Sequence, residues 1–305
     1  MKIAGLIVST SIFLLVGCSP SNETGTGKQI RVTATTSMVA DLAKSVGGDR
    51  VVVQGLMGAG VDPHLYKATA SDVSKLQQAD VIFYSGLMLE GKMQELFDKL
   101  KNQKKVFAVT DAIPREKLTK PAEFKGHYDP HVWFEVPLWE MCVETVVQGL
   151  SETDAAGKAE YQKRGAELRM KMKELHQWAE KKTSELPSEK RILITSHDAF
   201  NYFGRSHGFQ VVGLQGVSTA DEAGLADMAK MVDFIKEKKI KAVFVESSVP
   251  HNTIERISKD SGARIGGELF SDAMGTPGQM ENGYDLGTYE GMIKHNANTV
   301  VNALK

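Results

Sequence analysis

Short apolar runs alternate with longer stretches of helical spacing along most of the chain. Ile30–Ala34 (IRVTA), Val51–Leu56 (VVVQGL), Val81–Tyr84 (VIFY) and Val106–Val109 read as strands, being short, nearly continuous and rich in β-branched or aromatic residues. Helical patterns follow the first three, from about Ser37 to Val46, Ala70 to Gln78 and Glu90 to Leu100. The rhythm resumes at Ile192–Thr195, Gln210–Gly213, Ala242–Val245 and Ala263–Gly266. Strands that alternate with helices predict an α/β fold with parallel sheets, because parallel neighbours need a crossover and a helix supplies it.

Between the two halves the texture changes. Asp154–Leu186 is rich in Ala, Glu, Lys, Gln, Leu and Met, and no proline interrupts it before Pro187. Leu168, Met172, Leu175 and Trp178 keep helical spacing. One connecting helix over 154–186 would be roughly 50 Å long, although Gly157 and Gly165 weaken its first part. The expected organisation is a signal segment at 1–17, a tether at 18–28, an N-terminal α/β lobe at 29–153, this helix, and a C-terminal α/β lobe at 187–305. A cleft would separate the lobes.

The first residues have another character. Lys2 precedes the largely apolar run Ile3–Val16, followed by Gly17 and Cys18. That is a secretory signal, too short to span a membrane. Leu15-Val16-Gly17-Cys18 resembles a bacterial lipobox, which implies acylation of Cys18. The polar, Gly/Ser-rich stretch Ser19–Lys28 suits a flexible tether. The body is thus expected to be exported and anchored on the extracytoplasmic side, in a periplasm or at a cell surface. Cys142, the other cysteine, lies in the apolar stretch Met141–Val147 and is expected to be buried and unpaired. A net charge of -1 with no basic stripe gives no footprint for nucleic acid.

The tripeptide Asp-Pro-His occurs twice, at Asp62-Pro63-His64 and Asp129-Pro130-His131. Proline stiffens the backbone just before each imidazole, so each ring is presented from a restrained turn. His64 follows the Val51–Leu56 strand by a short loop, at the sheet edge where open α/β folds bind ligands. His197 follows Ile192–Thr195, and Asp272 follows Ala263–Phe270 in the same way. Three imidazoles and one carboxylate, two from each lobe, would converge in the cleft. Such donors suit zinc and manganese, and no thiolate is offered. His127, His176, His207, His251 and His295 lack partners at ligand spacing; His176 is expected on the exposed side of the connecting helix.

Five phrases carry a resemblance: DPHLY at 62–66, DPHVWF at 129–134, TSHDAFNYF at 195–203, LQGVSTADEAG at 214–224 and GELFSDAMG at 267–275. They resemble the metal-specific solute-binding lipoproteins of zinc and manganese ABC importers, the TroA-like and ZnuA-like family, from about Ile30 to the end. The resemblance implies two α/β lobes bridged by a long helix, with the metal between them on His64, His131, His197 and Asp272. It also implies that Glu246 and the Gln215–Thr219 segment support the ligands or pack the lobes. Zinc, manganese and iron all remain open as cargo, since no long His- and acid-rich loop lies between His64 and His131. A membrane permease is the implied partner, and the protein is expected to be a monomer.

Two other functions fit parts of the pattern. A zinc hydrolase also places His and Asp at a cleft, but it needs an open coordination position, and no H-E-x-x-H motif is present. A metal-binding surface adhesin is compatible with an exposed lipoprotein, and no residue pattern speaks for it. The expectation is a binding protein and not an enzyme.

Overall fold

The computed structural model describes Met1 and residues 29–305 except 123, 125, 221 and 222. The rest of the signal segment, Cys18 and the 18–28 tether lie outside the described residues. The first lobe is a four-stranded parallel sheet of β1 (Ile30–Ala34), β2 (Val51–Gly55), β3 (Val81–Tyr84) and β4 (Lys105–Ala108), in the order β2-β1-β3-β4. Helices α1 (Ser37–Gly47), α2 (Ala70–Gln78) and α3 (Gln94–Lys101) make the crossovers. Every residue of β3 is buried, as its unbroken apolar run requires. At the start of α2, Thr69 and Asp72 cap each other, satisfying two backbone N–H groups that the helix leaves free.

One helix starts later than its pattern suggests. The chain turns through Gly86, Leu87 and Met88 with φ of 93°, 54° and 67° before it reaches Glu90. The buried Glu90 carboxylate accepts the N–H groups of Ser85 (2.7 Å) and Gly86 (3.2 Å) and the hydroxyl of Thr35 (2.6 Å). Glu90 therefore closes the loop, and α3 begins only at Gln94.

Next come α4 (Val136–Thr153) and α5 (Lys158–Thr183). The latter is the connecting helix, 26 residues and about 39 Å long. It begins at Lys158 and not at Asp154. Asp154 is held by the Arg50 guanidinium and by the Tyr161 hydroxyl at 2.8 Å, so the chain pauses there. A side chain on Gly157 would sit 2.5 Å from Arg50 Nε, so only glycine fits beside this pair. Cys142 is fully buried in α4.

The second lobe holds β5 (Ile192–His197), α6 (Asn201–His207), β6 (Gln210–Gln215), α7 (Leu225–Lys238), β7 (Ala242–Glu246), α8 (Asn252–Ser261) and β8 (Arg264–Leu269). Its strands form two parallel pairs, β5–β6 and β7–β8, with β5 and β7 side by side. A short antiparallel hairpin of β9 (Met280–Glu281) and β10 (Tyr284–Asp285) leads to α9 (Tyr289–Leu304). One apolar core runs through both lobes and takes in α1, α4, α5 and α9. Within it Phe134 of the first lobe stacks on Phe200 of the second at 4.4 Å between ring centres. Among the described residues no helix is long and apolar enough to cross a membrane.

Candidate metal centre

Each candidate side chain is held by its own local structure. His64 sits in a turn where Asp62 Oδ1 accepts the His64 backbone N–H at 2.8 Å. Two residues on, Tyr66 donates its hydroxyl to Asp72 at 2.6 Å, which pins the turn to the first turn of α2. His131 ends the second copy of the turn, and Asp129 Oδ1 accepts its backbone N–H at 3.0 Å. The same oxygen lies 2.8 Å from His131 Nδ1. His197 is the last residue of β5 itself, one step earlier than a position past the strand end. Gly213 lets β6 pass close to it, since a Cβ there would meet Asp198 N at 2.5 Å. Asp272 lies just beyond β8, on a segment fixed by paired hydrogen bonds between Phe270 and the Asn296 side chain, at 3.0 and 2.7 Å.

The structure brings these four together. All are buried, at 4% exposure or less, and one potential ligand atom from each lies within 4.8 Å of the others. His64 Nε2 and His131 Nε2 are 3.3 Å apart. Asp272 Oδ1 is 3.3 Å from His131 Nε2, and its Oδ2 is 3.3 Å from His197 Nε2 and 3.9 Å from His64 Nε2. Among the described residues no other group of three or more His, Cys, Asp or Glu gathers in this way.

The donor set fits a cation. Asp129 takes the Nδ1 proton of His131, and Glu246 Oε2 takes that of His197 at 2.5 Å. With Nδ1 engaged, each ring turns Nε2 to the centre, the arrangement in which a carboxylate orients a metal-bound imidazole. His197 Nε2 and both oxygens of Asp272 are buried without a hydrogen-bond partner. Their nearest polar neighbours are ring nitrogens of the same cluster at 3.3 Å, and one cation at the centre would give all three a partner.

Electrostatics divide the three rings. Burial alone lowers an imidazole's affinity for a proton, and it takes His64 down to about 3, the pull of Asp272 being too weak to offset it. Burial acts on His131 too, but Asp129 and then Asp272 outweigh it and raise that ring to about 9. His197 is raised well above its ordinary value against the same burial, by Glu246 and Asp272. Burial works to raise Asp272, yet His197 and His131 hold it well below the usual carboxylate range. The neighbouring carboxylates thus favour a proton on His131 and on His197, and a divalent ion on these nitrogens would compete with it.

Other residues fall as follows. Glu246 ends β7 and holds both the ring and, through Oε1, the backbone N–H of His197 at 2.8 Å. From the Gln215–Thr219 segment, Thr219 donates its hydroxyl across the cleft to Asp62 Oδ2 at 2.6 Å. Asp129's hold on the His131 ring was not read from the sequence, although the aspartate two residues before the histidine is visible there. His127 is exposed. His176, expected on the exposed side of α5, is instead half-buried with its ring 6.1 Å from that of buried His207. The ring of His207, at the end of α6, lies against it there. His251 and His295 pair with Glu268 and Glu281, respectively.

A family described as ZnuA, zinc-uptake complex component A, periplasmic, matches residues 32–303. The chain is 46% identical over 299 residues to the manganese-binding lipoprotein MntA of Bacillus subtilis, covering 96% of each. It is 45% identical over 283 residues to the zinc-binding protein TroA of Treponema pallidum, covering 91% of this chain and 89% of that one. The solved structure of the periplasmic zinc-binding protein TroA from Treponema pallidum matches at a TM-score of 0.86 and 43% identity, covering 90% of this chain and 99% of that one. With this match spanning both lobes and the centre between them, the chain belongs to the ZnuA family of metal-binding solute-binding proteins of ABC importers, which are not enzymes.

Proposed function

We propose that the protein captures one Zn²⁺ or Mn²⁺ ion on His64, His131, His197 and Asp272 and delivers it to the membrane permease of an ABC importer. The observation that carries this is the buried convergence of three ring nitrogens with a carboxylate whose two oxygens make no hydrogen bond and face ring nitrogens at 3.3 Å. Imidazole and carboxylate suit both ions, and also iron, while no thiolate is present to favour softer ones. Asp272 offers one oxygen or two, giving four donors, which zinc accepts, or five, from which manganese gains. The names of MntA and TroA, one manganese-binding and one zinc-binding, support both cargoes. Four protein donors leave no open position for a hydrolytic water, which favours carriage over catalysis.

The body works as a monomer divided into lobes at 29–153 and 187–305 around the connecting segment 154–186. The lipobox-like Leu15–Cys18 and the lipoprotein relative support acylation of Cys18, which would hold the body on the extracytoplasmic face through the 18–28 tether. Thermal unfolding of chelator-cleared protein tests the binding role. An ion at a thousandfold excess over Kd stabilises the fold by about 4 kcal/mol, so the melting midpoint rises with Zn²⁺ or Mn²⁺. No rise with either ion would refute the proposal.

A further inference from the structure

The two sides of the centre are joined across the cleft in different ways. Behind His131, Trp133 Nε1 donates to Ser271 O at 3.0 Å, Tyr202 donates to Asp129 O at 3.1 Å, and Tyr289 donates to Trp133 O at 2.7 Å. All three ring systems are buried, and the Phe134–Phe200 stack lies among them. On the His64 side, residues 56–68 have a single hydrogen bond to the second lobe among the described residues, apart from the ligands themselves. It is the one from the Thr219 hydroxyl to Asp62 Oδ2.

We infer that Thr219 is a positioning residue that ties the His64 turn across the cleft and sets the rate of metal release. This rests on the proposed ligand set. Asp62 uses its two oxygens in series, Oδ1 on the His64 backbone N–H at 2.8 Å and Oδ2 on Thr219 at 2.6 Å. Thr219 is buried, at 6% exposure, and lies four residues after Gln215, the residue paired with His197 in the β5–β6 register. A mechanical line therefore runs from His64 through Asp62 and Thr219 to β6 and His197. It links ligands from opposite lobes without touching the metal. His131 and His197 each have a carboxylate on the ring nitrogen that faces away from the centre, whereas Asp62 holds His64 only through its backbone. His64 is thus the ligand whose place depends most on the tie. Loss of the tie lets its turn swing away with the first lobe and speeds dissociation, while entry of the ion from solvent is unaffected.

The test is release of Zn²⁺ from the loaded full chain into excess chelator, with association measured separately. A hydrogen bond to a charged group is worth enough that Thr219→Val should release Zn²⁺ about tenfold faster. Its association rate should stay within about twofold of the parent, as is usual when a change acts on dissociation. Thr219→Ser, which keeps the hydroxyl, should behave as the parent does, a rescue that a packing role for the methyl group would not give. If Thr219→Val does not fold, Thr219→Ala takes its place. Release from the hydroxyl-free variant within about twofold of the parent would overturn the inference. Failure of the ligand set itself would appear differently, as parent protein that takes up no stoichiometric Zn²⁺, and would remove both claims.

Discussion

Asp62 and Asp129 occupy the same place in the same tripeptide, and each accepts the backbone N–H of the histidine two residues on. Beyond that the two turns diverge. Asp129 also takes the ring of its own histidine, at 2.8 Å, whereas Asp62 directs its second oxygen to Thr219 in the other lobe. Asp129, with Asp272, raises His131 to about 9 against its burial, while burial takes His64 down to about 3. Their settings differ as well. His131 is followed by Val132, Trp133 and Phe134, all in the core shared by both lobes, while His64 is followed by Leu65, 49% exposed. The tripeptide dictates a turn and the presentation of a ring; whether that ring is charged, and how firmly it is held, is decided by what packs around it.

The largest effect expected from this contrast is on stability. Trp133→Ala should lower the unfolding free energy by about 3–5 kcal/mol, since it empties a fully buried site in the shared core. Leu65→Ala, beside the other turn, should change it by about 0.5 kcal/mol or less. Denaturant titration reads both, and similar losses would mean that the turns are embedded alike.

Next in size is the carboxylate behind the ring. Asp129→Asn should weaken Zn²⁺ binding about 10–100-fold, the usual cost of losing the group that orients a metal-bound imidazole. Competitive titration against a chelator measures it. An unchanged affinity would show that Asp129 serves the turn and not the ligand.

The smallest effect, taken per pH unit and per proton, is the pH dependence. The folded, metal-free protein holds a proton on His131 up to about 9, so an ion must displace that proton at any lower pH. Affinity should therefore keep rising through neutrality and up to at least about pH 9, by up to about tenfold per unit for each proton displaced, His197 being raised as well. His64, lowered to about 3, is already neutral in this range and adds no slope. Asp129→Asn should move the rising limb to lower pH. Titration across this range checks the sign, and a plateau already reached below neutrality would contradict it.

How far the molecule was legible follows from the same contrast between pattern and surroundings. Strands such as Val81–Tyr84 were visible because a parallel strand covered on both faces is apolar without a break. Helix α4 was not. It buries Leu138, Trp139, Cys142, Val143, Val146, Val147 and Leu150, so it shows no narrow stripe, and a run such as Met141–Val147 has no period that separates helix from strand. Glu90 looked like the polar start of a helix, whereas its carboxylate is buried as the clasp of a loop. The four candidate ligands stood out by the repeated tripeptide and by strand-end placement. The division of labour between Asp62 and Asp129 did not, because it depends on Thr219, remote in sequence at 157 positions from Asp62.

The central claim is that His64, His131, His197 and Asp272 together hold the ion. Elemental analysis of the parent and of the four single alanine variants, each dialysed against the same limiting Zn²⁺ or Mn²⁺, tests it most directly. The parent should retain one ion per chain, and every variant should lose most or all of it while keeping the parent's far-ultraviolet circular dichroism. Four folded variants that each retain one ion with the parent's affinity would place the metal elsewhere and contradict the claim.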